Sequence, residues 1–304
     1  MRHFLTVIDH EPDVLRHLLS DAARLKAEVA RGHFSGTLQN KIVGLVFEKP
    51  SLRTRVSFEA GVAQLGGTSL FQAGSEVGLG DRESLADFAR TMSQYVNAIV
   101  LRVFRHSTVV GVAKHTGVPV VNGLSDTSHP CQAMADMLTV QECFGDVKGK
   151  TIAFVGDGNN VARSLAVLCG KLGVKFVLSH PDGYGFPADF AANYRKGVGP
   201  SLPEEIRDPA LAIKSADVIY TDVWTSMGQE TEREKRLKDF VPYQVNAELL
   251  RKAPKHAKVL HCLPAHRGEE ITDDVMESSA SVVFQQAGNR MHAQKAILEW
   301  LLSK

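Results

Sequence analysis

Short, unbroken apolar runs recur along the chain, each followed by a segment with helical spacing. Lys41–Phe47, Ala98–Val103, Pro119–Gly123, Thr151–Val155, Val218–Trp224, Ala257–Pro264 and Ser281–Gln286 are such runs, and Thr68–Gln72 is a shorter one. Runs of this length without polar alternation predict strands buried on both faces of a parallel sheet. Between them, Val14, Leu15, Leu18, Leu19, Ala22 and Leu25 place a packing helix within Glu11–Val29. Phe58, Val62 and Leu65 recur at i, i+4, i+7, which predicts a helix from Ser51 to the Gly66-Gly67 stop. Further helices are expected at Leu85–Tyr95, through Met134, Met137 and Leu138, at Val161–Gly170, and at the end through Ala296, Ile297, Trp300 and Leu301. Strand and helix in alternation predict an α/β protein. Ala73–Ser84, polar and holding three glycines, reads either as a mobile lid or as an ordinary surface connection.

With 304 residues the chain has room for two domains. Its net charge is +1 without a basic block or aromatic-basic interleaving, which argues against nucleic acid as a partner. The opening Met1–His10 meets an acid after too short an apolar run for a signal peptide or membrane helix, and it lacks transit-peptide character. Cys131, Cys143, Cys169 and Cys262 show no CxxC spacing; reduced thiols in a cytoplasmic protein, without disulfides or structural zinc, are the expectation.

Candidate chemistry begins where the Lys41–Phe47 run meets Ser51, Leu52, Arg53, Thr54 and Arg55. A helix start favours Asp or Glu, because its unpaired N–H groups carry partial positive charge. Arg53 and Arg55 worsen that balance unless an anion is bound, and N–H groups, hydroxyls and guanidiniums together make a phosphate cradle. The plainer alternative is a basic surface helix with Arg55 paired to Glu59 at i, i+4.

Ser-Leu-Arg-Thr-Arg resembles the carbamoyl-phosphate loop of the transcarbamylases, the aspartate and ornithine carbamoyltransferases. Leu52 stands where that family usually has Thr. A contribution through the backbone N–H survives this exchange, whereas one through a hydroxyl does not. Acetylornithine-type enzymes can also carry Leu there, so the loop alone leaves the second substrate open. Two further matches follow in order. Arg102 ends a strand, where open α/β sheets place ligands, and His129-Pro-Cys-Gln132 resembles the family's His-Pro-x-Gln motif. The resemblance assigns Arg102 and His129 to the carbonyl oxygen of carbamoyl phosphate and Gln132 to its amide, with Arg290 at the same site.

In the second half, Gly156-Asp-Gly-Asn-Asn160 invites a dinucleotide reading. Val161 occupies the third glycine position, and the following strand ends Leu178-Ser-His-Pro without a ribose-binding acid, so the fingerprint fails. The turn instead resembles the ornithine enzymes, whose second Asn, here Asn160, contacts the amino acid. Asp222 is either a strand-end acid or, given the adjoining Ser226-Met227-Gly228 of ornithine-type loops, the partner of the substrate's α-ammonium. Cys262 is either a buried small thiol or, within His-Cys-Leu-Pro, a catalytic group. The resemblance gives Cys262 and Leu263 to the reacting end of the site, bordering both the carbamoyl group and the side-chain amine.

Together the resemblance implies two doubly wound parallel-sheet domains. Residues 1–140 with a returning C-terminal helix at 287–304 would bind carbamoyl phosphate, and 141–286 would bind ornithine. It further implies carbamoyl transfer to an amine without metal or organic cofactor, in a homotrimer. N-acetylornithine, putrescine and aspartate are alternative acceptors; an NAD-dependent dehydrogenase is the alternative from another class.

Overall fold

The computed structural model describes residues 1–80, 82–225 and 230–303. The chain forms two compact units, Met1–Leu138 with Gly288–Lys304, and Thr139–Ala287. Each is built on a parallel sheet, as the alternation of runs predicts.

In the first unit β1 (Ile42–Phe47), β2 (Thr68–Ala73), β3 (Ala98–Arg102) and β4 (Val120–Leu124) lie in the order β2-β1-β3-β4, all parallel. Strands β1 and β3 are buried almost throughout, which their continuous apolar runs require, whereas edge strand β2 alternates between exposed and half-buried positions. The chain leaves β1 for β2 on one side and then returns to β3 on the other. That reversal opens a crevice at the carboxyl ends of β1 and β3. The register pairs Phe47 with Arg102, so β3 ends beside the loop that leaves β1, and Glu48 N–H donates to the Arg102 carbonyl at 2.8 Å.

In the second unit β5 (Thr151–Val155), β6 (Lys175–Ser179), β7 (Glu204–Glu205), β8 (Val218–Thr221) and β9 (Lys258–His261) take the order β7-β6-β5-β8-β9, again parallel. The reversal here falls between β5 and β8. The core on one side of the sheet gathers Trp224, Phe240 and Tyr243 under Val155, Ile219 and Val259. Among the described residues no helix is long and apolar enough to cross a membrane.

Three expectations need correction. The Val218–Trp224 run is a strand only as far as Thr221. Ser281–Gln286 is not a strand: its backbone meets the sheet only in an isolated bridge between Ser281 and Val259, and a helix spans Val283–Leu302. A short apolar run cannot fix its own period. Here Val283, Gln286, Asn289, Arg290, Ala293, Ile297 and Leu301 are buried at helical spacing. Ala73–Ser84 is not wholly an open polar loop either. Gly74–Val77 forms a helical turn, and Leu79 is buried with Val46 and Phe88. Gly74 permits its close approach, since a Cβ there would lie 2.6 Å from the Glu48 Cα.

Candidate active site

The first unit concentrates positive charge at the crevice beside β1 and β3. Ser51 caps the helix Leu52–Gln64, its Oγ accepting from Thr54 N–H at 3.2 Å, which fixes where the chain turns after β1. The helix has no acid in its first turn, so nothing there offsets its positive end. Thr54 is fully buried and forms the hub. Its Oγ1 accepts from Nη1 of Arg102 at 3.2 Å and from Nη2 of Arg290. Arg102 comes from the end of β3, and Arg290 from the helix Val283–Leu302. Two guanidiniums 7% and 4% exposed thus converge on one neutral hydroxyl. Like charges held this close, out of water, make the place attractive to an anion.

His129 and Gln132 stand at the start of the helix Pro130–Phe144, just beyond β4. The His129 ring is buried, and its pKa lies well below the usual 6.5 because burial disfavours the charged form and Arg290 and Arg102 repel a proton. It is therefore neutral and can donate from one ring nitrogen only. Gln132 accepts from Nη1 of Arg290 at 3.2 Å and donates to Asp136 at 2.8 Å. Thr54, Arg102, Gln132 and Arg290 are thus one hydrogen-bonded cluster, with His129 in the field of its two arginines.

The loop's two arginines differ. Arg53 is half-buried, with no hydrogen bond or ion pair among the described residues. Arg55 stacks over Phe71 of β2 at 3.7 Å and its Nε pairs with Glu59 at 2.9 Å. The i, i+4 pair offered as the plainer reading of this stretch is present, and Arg55 ties the helix to the edge strand. Leu52 is 73% exposed. A cavity of about 420 Å³ opens here, between Glu48–Leu52, Arg55 and Phe71.

The second unit brings Asp222 and Cys262 together through strand register. Thr221 of β8 pairs with His261 of β9, so the next residue of each strand emerges alongside the other. Cys262 Sγ donates to Asp222 Oδ1 at 2.9 Å, Val223 N–H donates to the same oxygen, and Asn159 Nδ2 donates to Oδ2 at 2.8 Å. Asn159 also caps the helix Asn160–Leu172, its Oδ1 accepting from Val161 and Ala162. Asn160 is the first residue of that helix. Ser226 and Met227 lie outside the described residues.

Sequence reading missed three supporting residues. Asn159 is the first; its position before an apolar-periodic helix marks it as a cap, but nothing local shows that it also reaches Asp222. The others are His261 and Glu270, both fully buried. Leu263 N–H donates to Nδ1 of His261 at 2.9 Å, so that nitrogen accepts, and Nε2 donates to Glu270 at 3.0 Å. Leu263 itself adopts a left-handed backbone (φ 58°) followed by a cis peptide to Pro264. The donor atoms of Asp222, His261 and Cys262 lie within 4.8 Å of one another, but both nitrogens of His261 are already committed to this loop.

The chain is similar to known proteins along nearly its whole length. The family description "Aspartate/ornithine carbamoyltransferase, carbamoyl-P binding domain" matches residues 2–142, and "Aspartate/ornithine carbamoyltransferase, Asp/Orn binding domain" matches 148–301. An ornithine carbamoyltransferase of Archaeoglobus fulgidus is 50% identical over 304 residues, covering 100% of this chain and 98% of the relative. The ornithine carbamoyltransferase of Bacillus subtilis is 47% identical, covering 100% and 94%. The solved structure of the Pyrococcus furiosus ornithine carbamoyltransferase superposes with a TM-score of 0.92 at 46% identity, covering 98% of this chain and 96% of that one.

Proposed function

The chain belongs to the aspartate/ornithine carbamoyltransferase family, and from that premise we propose how its residues carry the reaction. The protein is a carbamoyl-group transferase: it moves the carbamoyl group of carbamoyl phosphate to the δ-amine of L-ornithine, giving L-citrulline and phosphate.

Residues 1–140 and 287–304 bind carbamoyl phosphate, and 141–286 bind ornithine. The phosphate rests on Ser51, the Leu52 backbone, Arg53 and Thr54 at the helix start, with Arg55 bracing the loop and Arg290 beside it. The uncharged amine attacks the carbonyl carbon, and negative charge grows on the carbonyl oxygen. Arg102 and neutral His129 stabilise that charge most in the transition state. Gln132 holds the carbamoyl amide in register, and orientation supplies much of the acceleration of a two-substrate reaction. Asp222 binds the α-ammonium group, aided by Asn160, Ser226 and Met227, while Cys262 and the Leu263 backbone border the reacting groups. An alkylamine has a pKa of about 10, so ornithine must shed a proton before attack; the departing phosphate is one base able to take it.

The observation that carries this reading is the convergence of Arg102 and Arg290 on Thr54 at an uncompensated helix N-terminus. A substrate panel tests it. Ornithine, but not N-acetylornithine, putrescine or aspartate, is the expected acceptor from carbamoyl phosphate; turnover of another amine would overturn the ornithine assignment.

The protein serves arginine metabolism in the cytoplasm as a homotrimer. Leu70 on edge strand β2 and Tyr95, both exposed beside a cavity of about 540 Å³, give such an assembly an apolar face. Light scattering at micromolar concentration measures it, with three chains per particle or a multiple expected.

A further inference from the structure

The amide of Gln132 is held at both ends by partners of fixed kind. Oε1 accepts from Arg290 at 3.2 Å, and Nε2 donates to Oδ1 of Asp136, one helical turn on, at 2.8 Å. A guanidinium can only donate, so the atom facing Arg290 is the oxygen. The nitrogen then faces Asp136, a natural acceptor. An amide's two ends have nearly the same shape, and ordinary packing does not distinguish them. Here a fully buried carboxylate and a guanidinium 4% exposed do so. Burying two ionisable groups merely to fill this space would be a costly solution compared with apolar side chains.

We infer that Asp136 is a specificity-determining positioning residue, which together with Arg290 locks Gln132 so that its oxygen, never its nitrogen, is offered to the transferred group. The inference rests on the carbamoyl phosphate reading above and goes beyond it. A carbonyl oxygen has two acceptor sites; Arg290 uses one, and the second is open to a donor from the ligand. The –NH2 of a carbamoyl group supplies it. The –CH3 of acetyl phosphate, nearly the same in outline, does not, and leaves that second acceptor site unfilled. A site built to accept from a substrate N–H discriminates far more sharply than one that merely fits its shape. Asp136 thus acts through Gln132 on the choice of acyl group and has no part in holding the phosphate.

The test measures citrulline formation, reading KM for carbamoyl phosphate and inhibition constants for acetyl phosphate and inorganic phosphate. It compares the full-length protein with Asp136→Leu, Asp136→Asn, Gln132→Ala and the two double variants. Asp136→Leu, close in volume but without an acceptor, is expected to raise KM for carbamoyl phosphate about tenfold (~1.4 kcal/mol). Both inhibition constants should stay within about twofold, so discrimination against acetyl phosphate narrows. Asp136→Asn, whose amide oxygen can still accept, should lose only about threefold. On the Gln132→Ala background either change at 136 should have no further effect, since coupled residues are not additive. If Asp136→Leu does not fold, Asp136→Asn carries the same cycle. Equal weakening of all three ligands, or additivity with Gln132→Ala, would overturn the assignment while leaving the transferase reading intact. A wild-type protein that forms no citrulline would overturn that reading instead.

Discussion

Asn159 and Asp222, 63 residues apart, share a 2.8 Å hydrogen bond from Nδ2 to Oδ2, while Oδ1 of the same Asn accepts two N–H groups at a helix start. One side chain thereby joins the helix Asn160–Leu172 to the carboxylate just beyond β8. Splitting its two roles gives the first prediction. Asn159→Ala should lower Tm by about 2–4 °C, the effect of losing a cap of ~1 kcal/mol, and should raise KM for ornithine. Asn159→Ser retains a capping oxygen but is too short to reach Asp222. Its Tm should therefore stay near wild type while KM for ornithine still rises. Thermal melts beside steady-state kinetics separate the two.

Arg53 and Arg55 should respond differently to truncation. Arg55 is already occupied by Phe71 and Glu59, whereas Arg53 remains available for an anion. Arg53→Ala is expected to raise KM for carbamoyl phosphate tenfold or more, equivalent to at least ~1.4 kcal/mol. Arg55→Ala should raise it less, and should lower Tm because the helix loses its tie to the edge strand. Kinetics and thermal melts on the two variants check both halves.

His129 titrates below its ordinary 6.5 in the folded chain because it is buried beside Arg290 and Arg102. The unfolded chain therefore takes up a proton first as pH falls below about 6.5, and the folded state loses stability there. At higher pH the ring is neutral in both states and contributes no slope. Melts between pH 8 and pH 5 should show the fall, and His129→Gln should reduce it. The same variant should lower kcat, because its amide cannot reproduce the ring's placement of a donor.

Lys295 lies within the first unit, 1% exposed, its Nζ donating to Gln64 at 2.9 Å, and burial lowers its pKa to about 8 from 10.5. Between pH 8 and 10.5 the unfolded chain holds the proton that the folded chain has released, so stability rises with pH across this window. Below pH 8 both states are charged and the destabilisation is constant. Lys295→Met should raise Tm at pH 7 and remove the rise between pH 8 and 10, as a melting series would show.

Much of the architecture was legible because parallel strands covered on both faces must be apolar throughout. The runs at 42–47, 98–102, 151–155, 218–221 and 258–261 stood out for that reason. Ser281–Gln286 misled for the same reason in reverse. Val282, Val283 and Phe284 form an apolar run, yet the segment turns helical once it passes its single bridge to β9. The apolar run continues to Trp224, yet the strand stops at Thr221 and Trp224 packs in the core against Phe240, with ring centroids 5.9 Å apart.

By itself the sequence determined the α/β alternation, the basic helix start at Ser51–Arg55 and the residue types able to meet a phosphate and an amino acid. These are local matters: period, capping and charge are written in neighbouring residues. Only the tertiary structure decided which of those groups touch. Strand register set Asp222 against Cys262, and a helix more than 230 residues away carried Arg290 to Thr54. It also separated the roles of Arg53 and Arg55, because the ring that engages Arg55 belongs to another strand. Such pairings depend on how distant segments cross in space, and no spacing along one segment encodes them.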